Sequence, residues 1–319
     1  MASFPDSLGN DLLTALDSAF GGPHPGYRAN HAKGILLTGT FTPASAGASL
    51  TSAPHLHHPS TLVKVRFSDF SGIPTIADYA QDAAIPASPR GCAILFVLRA
   101  ADIIGHSIDN FPTRTPEEFL QLLNALKAHK PGSDSDDLAR FFKSHPNALA
   151  FQKAKKPIPT SFAREQFFSV SAYKFTNLAG VSCYGRYRVL PEAGTDYFTD
   201  EAAAKQNPNF LFDEIQQRIG KGPVKFQIKV QVAEESDPTD DATARWPETR
   251  QLISFGEISL TEVAPNNEQQ QQEIVFSPIP AIKGIEASDD PLFEARADVY
   301  GRSAQRRMEA GILGAKAGS

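Results

Sequence analysis

Near the C-terminus, 296-RADVYGRSAQRR-307 places Arg296 and Tyr300 four residues apart, a spacing that puts both on one face of a helix. A tyrosine phenol ordinarily ionises near pH ~10. A guanidinium held on its oxygen favours the phenolate, and a phenolate is a good ligand for ferric iron. Arg307 lies seven residues beyond Tyr300, close to two helical turns, and falls near the same face. Alone, such a pair is commonplace on protein surfaces. A second polar group stands at the other end of the chain, in 28-RANHAKGILLTGTF-41. There His31 and Lys33 precede an apolar run, Ile35-Leu36-Leu37, that reads as the start of a strand.

Other polar clusters carry less. His55-Leu56-His57-His58 lies in a Pro/Ser-rich loop with no acidic or cysteine partner nearby. The acidic run 234–241 lacks the ligand spacing of a calcium loop and reads as solvated. Lys153, Lys155 and Lys156 form a cluster too short to bind nucleic acid. Cys92 and Cys183 fit no metal spacing and lie in apolar runs, which reads as buried free thiols. The 319 residues carry a formal net charge of −5, unlike a nucleic-acid binder with its basic stripe. The N-terminus lacks a basic start, and Asp6, Asn10 and Asp11 interrupt any apolar core, so no signal peptide is expected. No run approaches the ~20 apolar residues that span a bilayer. A soluble, cytoplasmic protein without membrane span or nucleic-acid partner is expected.

These groups must be held by elements. Leu8, Leu12, Leu13, Leu16 and Phe20 recur at helical spacing over 6–20, before Gly21-Gly22-Pro23. Strands are expected at 34–41, 61–68 and 91–98. The Gly/Pro/Ser/Ala-rich stretch 42–60 is long for a loop, and long loops are often functional. Thr115, Pro116, Glu117 and Glu118 open a helix over 115–129 with a cap, an N1 proline and acidic first-turn residues. Further helices are expected at 136–144, 209–219 and 290–310, with the tail 314–319 frayed. Strands are expected at 168–177 and 181–190, joined by the hairpin signal Asn177-Leu178-Ala179-Gly180, and at 224–233 and 252–263. The polar, low-complexity 266-NNEQQQQE-273 reads as an exposed turn. At least seven mostly sequential strands with inserted helices fit an α+β antiparallel barrel better than an alternating α/β plan.

Read together, several short motifs in fixed order resemble the haem catalase family, and most of all its short members, the catalase-related peroxidases. They are RxxHAKG at 28–34, 65-VRFSDFSG-72, 89-PRGCAILF-96, 103-IIGHSIDNFPTRTPEEF-119, 245-RWP-247, 284-GIEAS-288 and the Arg296–Tyr300 helix. The resemblance runs from roughly residue 20 to residue 310. It implies an eight-stranded barrel at about 30–263 in a single haem domain covering 1–319, with haem b (iron protoporphyrin IX) between barrel and terminal helix. His31 matches the distal general acid–base and Ser68 the serine that fixes its ring. Arg28, Arg66 and Arg307 match arginines that bind the propionates, for which bidentate guanidinium pairing suits arginine. Phe119 matches an aromatic on the porphyrin face and Phe111 one lining the distal pocket. Tyr300 matches the axial iron ligand and Arg296 its partner. Trp246 matches a packing residue.

Two positions depart from the pattern. His106 stands where full catalases place a distal asparagine that orients a second peroxide, which puts efficient dismutation of hydrogen peroxide in doubt. Asn30 replaces the usual valine before the distal histidine, a partial likeness to the allene oxide synthase branch. The chain also lacks the long N-terminal arm and C-terminal helical domain of full-size catalases, which implies a wider entrance and a smaller oligomer. The reading is a peroxidase that uses hydrogen peroxide or organic hydroperoxides to oxidise small organic donors, with weak catalase activity, as a homodimer. A hydroperoxide isomerase, a genuine small catalase and a non-catalytic haem-binding protein are the alternatives.

Overall fold

Alternation at period two decides which wall each side chain of the sheet joins. The strands are β1 (Gly34–Pro43), β2 (Thr61–Ser68), β3 (Gly91–Phe96), β4 (Ile103–His106), β5 (Phe167–Phe168), β6 (Tyr173–Thr176), β7 (Ser182–Pro191), β8 (Val224–Val232), β9 (Leu252–Val263) and β10 (Ile285–Ala287). The structure, a computed structural model, describes residues 5–80, 88–97, 102–128 and 136–317, with no side chains from 312 onward. Every strand pairing is antiparallel. Eight strands close a barrel in the order β1-β2-β3-β4-β5-β7-β8-β9, and β9 returns to β1. β6 and β10 extend the sheet from the other half of β7.

The alternation sends Ile35, Leu37 and Phe41, then Val63, Val65 and Phe67, then Cys92, Ile94 and Phe96 into the barrel, where they join one core. The intervening residues of β2, Lys64, Arg66 and Ser68, therefore stand on the outer wall. Burying a large apolar side chain contributes roughly 1.5–3 kcal/mol, so a slip by one residue, which would exchange the two faces, is strongly disfavoured.

The nine helices among the described residues are α1 (Asp6–Ala19), α2 (Ser45–Leu50), α3 (Pro116–Ala128), α4 (Asp137–Ser144), α5 (Pro146–Lys153), α6 (Asp200–Ala203), α7 (Phe210–Ile219), α8 (Asn267–Glu273) and α9 (Leu292–Ala317). α3 opens with a reciprocal cap. The Thr115 hydroxyl accepts from the Glu118 N–H at 3.2 Å, and the Glu118 carboxylate accepts from the Thr115 and Arg114 N–H groups at 3.3 and 2.9 Å. None of these helices is long and apolar enough to cross a membrane.

Several expectations are corrected. The stretch 42–60 is not an irregular loop: it holds α2 and a turn at Pro54–Leu56, with Leu50, Ala53 and Leu56 packed into the barrel core. His55 is packed among the rings of Phe41, Phe96 and Phe255, and no metal-binding cluster exists among the described residues. The expected strand 168–177 is broken, because the Ser169 hydroxyl takes the Tyr187 N–H at 2.7 Å and interrupts the ladder. β4 and β10 are too short to show a period. The segment 266–273 is the helix α8, not a turn. α9 continues past Gly311 to Ala317, and residues 318 and 319 lie outside those described. Cys183 is half-buried rather than buried, while Cys92 is buried, and both are free thiols. Trp246 packs as expected, with the Arg186 guanidinium 4.3 Å from its ring centroid.

Candidate functional site

The outer wall of β2, β3 and β4 is not left to solvent. α9, α1 and α3 and the segment Ile274–Phe276 stand off it and enclose a cavity. All eleven residues singled out from the sequence line this cavity: Arg28, Asn30, His31, Arg66, Ser68, His106, Phe111, Phe119, Arg296, Tyr300 and Arg307. The rest of the lining is largely apolar.

His31 comes from the turn before β1. Its backbone is left-handed, with φ 57°, a costly conformation for a residue with a side chain. Two bonds to the segment after β2 hold it there: the N–H groups of His31 and Ala32 donate to the carbonyls of Phe70 and Ser71 at 2.8 and 2.9 Å. Nδ1 lies 3.0 Å from the Ser68 hydroxyl, which leaves Nε2 as the nitrogen to meet the cavity. The Phe70 ring meets the imidazole edge-on. A Cβ on Gly91 would lie 2.5 Å from Ser68 Oγ and 2.7 Å from His31 Nδ1, so only glycine leaves room for this pair.

Burial, then the Arg66 charge and the neighbouring His106 imidazole, hold the His31 pKa down to about 3. His106 pairs across the ladder with that same Gly91. Its Nδ1 accepts the Ile108 N–H at 3.3 Å, which places its ring proton on Nε2. Burial and Arg296 lower its pKa to about 3 as well, so both rings are neutral over the physiological range. The Asn30 carboxamide oxygen is buried without a hydrogen-bond partner.

Lys33 and Gly34 have different tasks. The Lys33 ammonium donates to the Ile76 and Pro208 carbonyls at 2.8 and 3.0 Å and pairs with Asp78, tying the turn to the approach to α7. Gly34 lies under the Arg66 guanidinium, where a Cβ would approach within 2.1 Å.

Three guanidiniums, Arg28, Arg66 and Arg307, meet on one flank. Their bonds go to the carbonyls of Gln271, Ile274, Ala32 and Gln272, the Gln271 side-chain oxygen and the Ser303 hydroxyl. None forms an ion pair with a carboxylate among the described residues. Burial lowers all three pKa values, to about 9 for Arg66 and about 10 for Arg307; repulsion adds to it, from Arg66 and Arg307 on Arg28, from Arg307 on Arg66 and from Arg306 on Arg307. Buried charges persist when paired, so this flank fits a ligand that brings anionic groups.

On the α9 wall, Arg296 Nε and Nη2 lie 3.4 and 3.5 Å from the Tyr300 hydroxyl oxygen. Burial opposes the Arg296 charge, but the Tyr300 and Tyr173 phenols outweigh it and raise its pKa. Phe111 and Phe119 pack with ring centroids 5.0 Å apart. An apolar slot, a phenol on one wall, an imidazole on the other and unpaired guanidiniums at one flank fit a flat, metal-bearing macrocycle with carboxylate arms. Gln271, Phe70, Gly91 and the Ile274–Phe276 strap were not singled out from the sequence as site residues. Gly91 lies within the motif 89–96, whereas Gln271 is hidden in a low-complexity run that carries no signal.

Comparisons with known proteins give the family and the fold. The family model described as Catalase matches residues 24–313. A catalase-related peroxidase of Mycolicibacterium paratuberculosis is 34% identical over 294 residues, covering 90% of this chain and 91% of that protein. A catalase-related peroxidase of Synechococcus elongatus is 28% identical, covering 93% and 88%. Among solved structures, catalase A from Saccharomyces cerevisiae superposes with a TM-score of 0.76 at 22% identity. The match covers 88% of this chain and 61% of that one, and supports the barrel fold. With the family model spanning nearly the whole barrel and both walls of the cavity, the chain belongs to the catalase family.

Proposed function

We propose that the chain is a haem-dependent peroxidase in which hydrogen peroxide or an organic hydroperoxide is the oxidant and a small organic molecule the donor. The observation that carries this is the meeting, in one cavity, of a neutral imidazole, an arginine-paired phenol and three guanidiniums without carboxylates. The group would be haem b: Tyr300, with Arg296 on its oxygen, would bind the iron, Arg28, Arg66 and Arg307 would hold the propionates, and Phe111 and Phe119 would pack against it. When bound, haem supplies the two-electron redox chemistry.

The chain's own part is proton handling. His31 Nε2 would take the proton from one peroxide oxygen and return it to the other, the leaving oxygen, as the O–O bond breaks. Ser68 holds Nδ1, and so the tautomer. His106 presents an N–H to the same space rather than the carboxamide of full catalases, and Asn30 adds a polar group beside His31. We expect weak release of dioxygen for this reason. A single haem domain, working as a homodimer in the cytoplasm, completes the proposal.

The test is the ferric absorption spectrum before and after stoichiometric peroxide, with dye oxidation by wild type and His31→Ala loaded with equal haem. Removing a positioned acid–base group costs about 10²–10⁴-fold. Turnover in His31→Ala equal to wild type would overturn the assignment.

A further inference from the structure

The run 266-NNEQQQQE-273 has no part in the function proposed above, yet its helix is the floor of the arginine cluster. α8 ends at Glu273 and turns its last carbonyls, free of helical partners, toward the site. Arg28 donates to the Gln271 and Ile274 carbonyls at 2.9 and 3.0 Å. Arg307 donates to those of Gln272 and Ile274 at 3.4 and 3.1 Å. Cations at a helix C-terminus are favoured by its partial negative charge.

Gln271 does more than its neighbours. Its side-chain oxygen accepts from Arg66 Nε at 2.8 Å, while its carbonyl accepts from Arg28. Its amide NH₂ donates to the Gly34 carbonyl at 3.0 Å and to the Asn267 side chain at 2.7 Å. Asn267 is itself bonded to the Leu36 backbone in β1. One neutral residue thus touches two of the three arginines, Arg28 through its carbonyl and Arg66 through its side chain, and that side chain ties Arg66 to the barrel wall. A carboxylate at this place would still accept from Arg66 but would neutralise it, and would give up the two bonds that the amide donates to Gly34 and Asn267.

We propose that Gln271 is a positioning residue that holds the Arg28–Arg66–Arg307 cluster ready for a dianionic ligand without compensating its charge. The ligand is the pair of haem propionates, so the inference rests on the function proposed above. The site keeps its electrostatic demand because amide and carbonyl oxygens fix the guanidiniums where acidic side chains would satisfy them. The charge that the fold leaves unpaired is what retains the ligand.

The test compares Gln271→Glu, Gln271→Ala and, as a control on the exposed side of α8, Gln269→Ala. Two quantities are read: the rate at which haem passes to excess apomyoglobin, and the thermal midpoint of the haem-free protein. A charge-neutral role predicts that Gln271→Glu separates the two quantities. Haem leaves about tenfold faster, the loss of roughly one charge-assisted bond, while the haem-free midpoint stays above that of Gln271→Ala, because Glu keeps the Arg66 bond and relieves arginine repulsion although it gives up the two bonds the amide donates. Gln271→Ala releases haem faster with a lower midpoint, and Gln269→Ala changes neither. Release from Gln271→Glu at the wild-type rate overturns the inference, as does a midpoint that falls as far as in Gln271→Ala or a variant that does not fold. Wild type that takes up no haem overturns the function proposed above, and this inference with it.

Discussion

His31 sits in a left-handed backbone conformation that its own side chain disfavours, and bonds from two flanking N–H groups keep it there. The strain aims the ring, and burial beside Arg66 and His106 keeps it neutral. The base acts when unprotonated, so lowering its pKa from 6.5 to about 3 moves the acid limb of the reaction downward. The rate constant for peroxide consumption is expected to stay level from pH ~8 to ~5. A titration centred at the ordinary histidine value in stopped-flow measurements would contradict this. The same ring depends on Gly91. In Gly91→Ala the new methyl enters the space of Ser68 Oγ and His31 Nδ1. A misplacement of ~1 Å costs about 10²-fold in rate, so peroxidase turnover should fall by that order while haem content, set on the other flank, is kept.

At the scale of elements, the cavity is closed on one side by the strap after α8, whose Ile274, Val275 and Phe276 line it. One anchor of this strap is Asp102, at the start of β4, which accepts the Ser277 N–H at 2.8 Å. Burial raises the Asp102 pKa from 3.8 to about 7. The fold therefore favours the protonated acid. Its contribution to stability is whole below the unfolded pKa and is lost as pH rises through the folded one. Asp102→Asn keeps an acceptor for Ser277 and removes the titration. Its unfolding free energy should exceed that of wild type at pH ~8, by on the order of 2 kcal/mol, with the gap closing toward pH ~4. Denaturant melts at the two pH values measure this, and an equal gap at both would exclude Asp102 as the titrating group.

Across the whole molecule, the barrel and the helical layer present complementary surfaces to one ligand. The barrel wall supplies Arg66, Ser68 and His106, the turn before it Arg28 and His31, and α9 supplies Arg296, Tyr300 and Arg307. A ligand that bridges these parts binds only the folded chain, and it removes the repulsion among three guanidiniums. Haem is therefore expected to stabilise the protein by about 2.7 kcal/mol at a free concentration of one hundred times its dissociation constant. The corresponding rise in thermal midpoint should shrink in Arg66→Ala, where one cation is lost. Calorimetry with and without haem gives both numbers, and an unchanged midpoint on haem addition would remove the site from the outer wall.

The residues alone determine what is local. The alternation in 61–68 fixes which side chains of β2 point inward, because strand geometry has a period of two. Spacing on one helix puts Tyr300 within reach of Arg296. The pattern Thr115 to Glu118 specifies a capped helix start, and the structure has that cap. Barrel closure and chain packing decide the rest. Whether Arg28, Arg66 and Arg307 share a flank depends on segments more than two hundred residues apart in the chain meeting at α8. The break at Ser169, the packing of 42–60 into the barrel core and the role of Gln271 arise the same way. Each is a long-range hydrogen bond or burial whose partner lies on another element, so no period or local propensity records it.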